Sequence, residues 1–141
     1  MFKKIVVPVD PSEIDFAAPA VNAAANLAAQ SGGEVRLIAV LPVMNGYVSE
    51  LLPADYEVAL EKETESRVRG LATKAGVPDD KLSVMMRTGS VYHEVIDEAK
   101  AWSADAIVVC SHRPVMSTYL LGSNAAKIVR HAPCSVLVLR D

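Results

Sequence analysis

The feature that most restricts how this chain can fold is an alternation, in which short runs rich in Val, Ile and Leu are separated each time by a stretch with helical spacing. The first run, Lys4 to Val9, contains Ile5-Val6-Val7 with no polar residue between them, the pattern of a strand buried on both faces. Ser12 to Gln30 follows with Ile14, Ala17, Ala18, Val21, Ala25 and Ala28 at helical intervals, and Ser12 with Asp15 predicts a capping box at its start. Pro19 should kink this helix or mark where its regular part begins. Ser31-Gly32-Gly33 closes it, and Glu34 to Val40 predicts the second strand.

Leu41 to Pro53 has prolines, a glycine and no clear period, which predicts a longer surface excursion over the end of the sheet. The alternation then resumes. A helix is expected from Ala54 to Ala75, stopped by Gly76 and Pro78, then a strand from Leu82 to Arg87 and a helix from Ser90 to Ala101. Asp105 to Cys110 reads as a fourth strand, Gly122-Ser123 opens a last helix that Pro133 ends, and Cys134 to Leu139 reads as a fifth strand. Five strands alternating with four helices predict an α/β fold, an open doubly wound parallel sheet covered on both faces. With 141 residues, 51% of them hydrophobic, and no linker or repeat, one domain over residues 1–141 is expected to bury its core without metal or disulfide.

Several function classes drop out. Fourteen Lys and Arg against seventeen Asp and Glu leave a formal charge of −3, which offers no field for a phosphate polymer, so nucleic acid is not an expected partner. Cys110 and Cys134 make no disulfide framework, and His93, His112 and His131 lie in no metal-ligand spacing. No apolar run approaches the ~18 residues of a membrane span. The start, Met1-Phe2-Lys3-Lys4-Ile5, does not read as a signal peptide, so a cytoplasmic location is expected.

In a sheet of this kind ligands bind beyond the carboxyl ends of the strands, where the strand order reverses. At the end of strand one stands Val7-Pro8-Val9-Asp10-Pro11-Ser12. Asp10 there either accepts hydrogen bonds from ribose hydroxyls or, with Ser12, simply satisfies the first turn of the following helix. At the end of strand four stands Cys110-Ser111-His112-Arg113-Pro114, and eight residues separate Arg113 from Gly122-Ser123-Asn124. A glycine at a helix N-terminus lets an anion approach unpaired backbone N–H groups, with Arg113 able to add a bidentate contact; alternatively Ser123 is a cap and Arg113 a solvated charge. Ser111 beside His112 suggests a nucleophile and base, but no glycine-flanked nucleophile elbow surrounds the serine, and no catalytic residue is assigned.

Taken together, Val-Pro-Val-Asp-Pro-Ser at strand one, Ser111-His112-Arg113-Pro114, Thr118 to Ala126 and His131-Ala132-Pro133-Cys134 into strand five resemble the universal stress protein family over the whole chain. The resemblance implies strand order 3-2-1-4-5, an adenine nucleotide alpha hydrolase-like fold, and a homodimer, here through strand five at the sheet edge. Nucleotide-binding members of the family carry glycine, two residues, glycine, nine residues, glycine and Ser or Thr after strand four. This chain departs from that pattern, with Cys110 and Arg113 at the first two glycine positions and a spacer of eight. The departure resembles a Ser-His-Arg-Pro variant that includes adenine-nucleotide binders. By that resemblance Asp10 and the backbone at Cys110 hold ribose, Val40 meets adenine, and Pro8, Val9 and Val109 wall the pocket. Arg113, Gly122, Ser123, Asn124 and Ala125 surround the phosphates, with Ser111 and His112 close by. ATP or a related adenine nucleotide is the expected ligand, with Mg²⁺ as companion of a triphosphate, in a switch or regulator that hydrolyses slowly if at all. A nucleotide-free protein acting through a protein partner is the alternative, and residues 41–53 suggest a lid around Gly46.

Overall fold

A computed structural model of the chain describes residues 1–43, 51, 53, 55–111 and 122–140. The strands are β1 Lys4–Val9, β2 Glu34–Leu41, β3 Leu82–Thr88, β4 Ala106–Ser111 and β5 Ser135–Arg140. The α-helices are α1 Ala18–Ser31, α2 Tyr56–Lys74, α3 Val91–Trp102 and α4 Ser123–His131. All strand pairs are parallel and the order is β3-β2-β1-β4-β5, as expected.

Pro19 marks the start of regular helix, in the first turn of α1, where its missing N–H costs nothing. The expected capping box does not form. Ser12 turns backward, its N–H and Oγ donating to Asp10 Oδ1 at 2.9 and 2.7 Å, so it caps no helix, and Ile14–Ala17 take a 3-10 turn instead. At the other end of α1 the chain reverses at Gly32, whose φ of +69° is the left-handed conformation glycine adopts without strain. Gly33 then passes so close to the β1 entry that a Cβ there would lie 2.7 Å from the Lys3 backbone.

Because side chains alternate along a strand, the sheet feeds two cores. Ile5, Val7, Val35, Leu37 and Val108 pack under α1 and α2, whereas Val6, Ile38, Ile107 and Val109 pack under α3 and α4. Burying each such side chain contributes roughly 1.5–3 kcal/mol, which explains why the inner strands carry so little polarity. β3 and β5 are the edges. On β5 burial alternates, and Leu137 is 41% exposed.

Candidate functional site

The sheet opens between its middle strands. β1 pairs with β2 from Lys4 to Val9, but with β4 it is registered only at Ile5 with Ala106 and Val6 with Ile107. Beyond that point the chain leaving β1 enters α1 on one face of the sheet and the chain leaving β4 reaches α4 on the other. Two neighbouring strands whose continuations go to opposite faces leave a gap, and this is the switch point of a doubly wound sheet.

A crevice of about 340 Å³ occupies the gap, at the lower end of the usual range for ligand pockets. The described residues that line it include Pro8, Val9, Asp10, Val40, Val109, Cys110, Gly122, Ser123, Asn124 and Ala125, each of them expected from the sequence. Ser111 is adjacent in the chain but does not line the crevice; its hydroxyl is buried and has no hydrogen-bond partner among the described residues. His112, Arg113 and most of the segment expected to be a lid lie outside the described residues. Sequence reasoning missed Pro11, Glu13, Phe16, Ala17, Ile38, Val91 and Ile128. Phe16 had a readable signal, a large aromatic in the first turn after Asp10, 44% exposed in the fold. Ile38, Val91 and Ile128 had none, because they become a common wall only once α3 and α4 lie on the sheet.

Asp10 follows the last residue of β1 and is exposed. Its Oδ1 holds the Ser12 turn and its backbone carbonyl accepts from Glu13 N–H at 3.1 Å. No described residue donates to Oδ2, so the carboxylate keeps an acceptor for a hydroxyl donor. Asp10 thus holds its own turn through Ser12 and does not satisfy the first turn of the following helix, as one reading of the sequence expected.

Across the crevice α4 begins at Ser123 after Gly122, an N-cap with extended backbone and no side-chain capping bond. Its first helical bond runs from Ala126 N–H to the Gly122 carbonyl at 2.9 Å. The amides of Ser123, Asn124 and Ala125 precede that bond and have no acceptor within the helix, and the first turn carries no acidic side chain to satisfy the dipole. This is a positive helix end open to an anion. Between it and Asp10 lies an apolar slot of Val9, Ile38, Val40 and Val109. Val40 lies one residue beyond the last pair registered with β1, Val9 with Ala39, and so stands at the edge of the slot. Anion site, hydroxyl acceptor and flat apolar slot together complement a ligand that carries all three features.

These features define a class, the doubly wound α/β proteins with a ligand crevice at the β1–β4 switch point. A profile described as the Universal stress protein family matches residues 1–140. Universal stress protein G of Shigella flexneri is 36% identical over 99% of this chain and 100% of its own. Among solved structures, UspA from Lactobacillus plantarum superposes with a TM-score of 0.72 at 27% identity, covering 99% of this chain and 98% of its own. Two others share the fold at 23% identity: a universal stress protein from Archaeoglobus fulgidus in complex with dAMP, with a TM-score of 0.70 and 97% of both chains covered, and one in complex with cAMP, at 0.69 over 99% and 97%. The chain belongs to the universal stress protein family. No described helix is long and apolar enough to cross a membrane.

Proposed function

We propose that this universal stress protein binds an adenine nucleotide, ATP foremost, in the β1–β4 crevice and acts as a nucleotide-dependent regulator of a stress response in the cytoplasm, as one domain over the whole chain. The observation that carries the reading is one apolar-walled crevice lined both by the start of α4, which has no side-chain cap, and by Asp10, to whose Oδ2 no described residue donates. Phosphates would be held by the amides of Ser123, Asn124 and Ala125 with the hydroxyl of Ser123, ribose by Asp10, and the base by Val40 between Pro8, Val9 and Val109. Relatives in complex with dAMP and cAMP support an adenine ligand. Ser111, His112 and Arg113 would flank the phosphates, Arg113 giving the side-chain contact that stands in for a missing glycine, and Mg²⁺ would accompany a triphosphate. No general base is assigned, and hydrolysis would be slow at most. A homodimer through β5 would cover the edge where Leu137 is 41% exposed.

A second reading, a nucleotide-free protein working through a protein partner, is favoured by Cys110, whose side chain stands in the crevice wall where nucleotide-binding relatives have glycine. Calorimetric titration of ATP and Mg²⁺ into protein stripped of nucleotide separates the two. Saturable micromolar binding, weakened by Asp10→Ala and by Arg113→Ala, is the expected result. Absence of heat and of thermal stabilisation at millimolar nucleotide would point to the partner-binding protein.

A further inference from the structure

Glu98 of α3 is 3% exposed and is the one fully buried charged side chain among the described residues. Its two oxygens are divided between two strands. Arg36 Nη1 of β2 donates to Oε2 at 2.8 Å, and Arg87 Nη2 of β3 donates to Oε1. Arg36 is held in turn, with Nε donating to Ser83 Oγ at 2.8 Å and the guanidinium 4.2 Å from the Trp102 ring centroid. Buried ion pairs are a poor route to stability, since apolar residues of similar volume commonly do as well or better. A carboxylate between two planar forks does something apolar contact does less well: it sets distance and register between the elements that carry it.

Those elements lead to the crevice. Arg36, Ile38 and Val40 alternate along β2 and share a face, and both Ile38 and Val40 line the crevice. Arg87 is registered opposite Val40. On α3, Val91, Val95 and Glu98 follow the i, i+4, i+7 stripe, and Val91 is also in the crevice wall. The clamp thus ties the second half of α3 to the start of β2 and the end of β3; Val40 and Val91, further along the same strand and helix, wall the slot, and the clamp residues themselves do not line it.

We propose that Glu98 is a positioning residue for the base-facing wall of the crevice, fixing how α3 lies on β2 and β3 through Arg36 and Arg87 and so setting the separation of Val40 and Val91 further along those elements. The proposal rests on the nucleotide reading above. Glu98→Gln keeps the shape and removes the charge, Arg87→Met keeps an apolar stem without the fork, and Arg87→Lys keeps a cation facing Glu98. Affinities for ATP by calorimetry and for adenosine by competition are measured for each, beside thermal unfolding. Glu98→Gln and Arg87→Met should weaken both ligands by the same factor, about five-fold, with the adenosine-to-ATP ratio as in the parent, and Arg87→Lys should recover most of the loss. Loss of ATP affinity alone, failure of Arg87→Lys to recover any, or unchanged binding in folded Arg87→Met overturns the positioning role. Should Glu98→Gln not fold, Arg87→Met decides, because the Arg87 side chain is 36% exposed and more readily replaced. A parent that binds neither ligand overturns the nucleotide reading and this proposal with it; a parent that binds while Arg87→Met binds equally well overturns this proposal alone.

Discussion

Where β1 and β4 begin, Asp105 gives both carboxylate oxygens to the chain, Oδ2 accepting from Lys3 N–H at 2.8 Å and Oδ1 from Lys4 N–H at 3.1 Å. Around it the Ser31 hydroxyl donates to the Phe2 carbonyl at 2.7 Å, Glu34 N–H donates to the Lys3 carbonyl at 2.8 Å, and Gly33 leaves no room for a side chain. Where the same two strands finish, Asp10 gives one oxygen to its own turn and no described residue donates to the other, and α4, which follows β4, starts with no side-chain cap. One seam therefore has a sewn end and an open end. Polar groups used up on backbone amides hold strands together, and polar groups left over are what a ligand can claim.

If that division is right, changes at the sewn end should damage stability and spare binding, and changes at the open end should do the reverse. The largest effect belongs to Gly33→Ala, whose Cβ would press on backbone that has no flexible side chain to move aside. It should lower stability by about 3 kcal/mol in denaturant titrations, while the folded fraction keeps the parent's ATP affinity. Asp105→Ala strands the Lys3 and Lys4 amides and should cost about 2 kcal/mol, again with affinity unchanged. Equal loss of affinity in either variant would break the comparison. Asp10→Ala should invert the outcome, weakening ATP by about ten-fold or more as a charged acceptor is lost, with a stability change under about 1 kcal/mol.

The smallest effect concerns Cys134, which sits before β5 at the sewn end. Burial pushes its thiol up from the ordinary range, and the Asp105 carboxylate adds to the shift. At pH 8 it should react with iodoacetamide more slowly than an unstructured peptide thiol, and Asp105→Asn should narrow the difference. The sign for stability follows from linkage. A thiol harder to ionise in the folded chain stabilises it fully below the ordinary thiol range near pH ~8.5, and that contribution is lost as pH rises towards the folded value. Cys134→Ala should remove this part of the alkaline decline, which parallel unfolding curves at pH 8 and 10 would measure.

Much of the fold was legible locally. The Ile5-Val6-Val7 run, the alanine spacing through Ala28, the Gly32 reversal and the Pro133 stop are short-range statements about burial and backbone conformation, and apart from the start of α1, expected at Ser12 and found at Ala18, the elements fall within a residue or two of where these predict. The capping box was misread because the Ser12 hydroxyl, which a cap would set to accept from a helix N–H, is turned back to donate to Asp10, a competition between two local bonds that spacing alone does not decide. Asp10 and Gly122 to Ala125 were legible as a site because the strand order implied by the family resemblance puts the ends of strands one and four at the switch point. Ile38, Val91 and Ile128 were not, since each reads as ordinary core in its own element.

By itself the sequence determined the alternation of strands and helices, the doubly buried inner strands, and the helix start at Gly122. These depend on residues a few positions apart, whose conformational preferences and periodicity act before any tertiary contact forms. Only the tertiary structure decided where β1 and β4 part, after Val6 and Ile107, and that a single buried carboxylate on α3 would join Arg36, 62 residues away, to Arg87, 11 residues away. The partners in such a contact are chosen by the closing of the sheet under its helices, and a carboxylate desolvated by that closing must find every cation within reach.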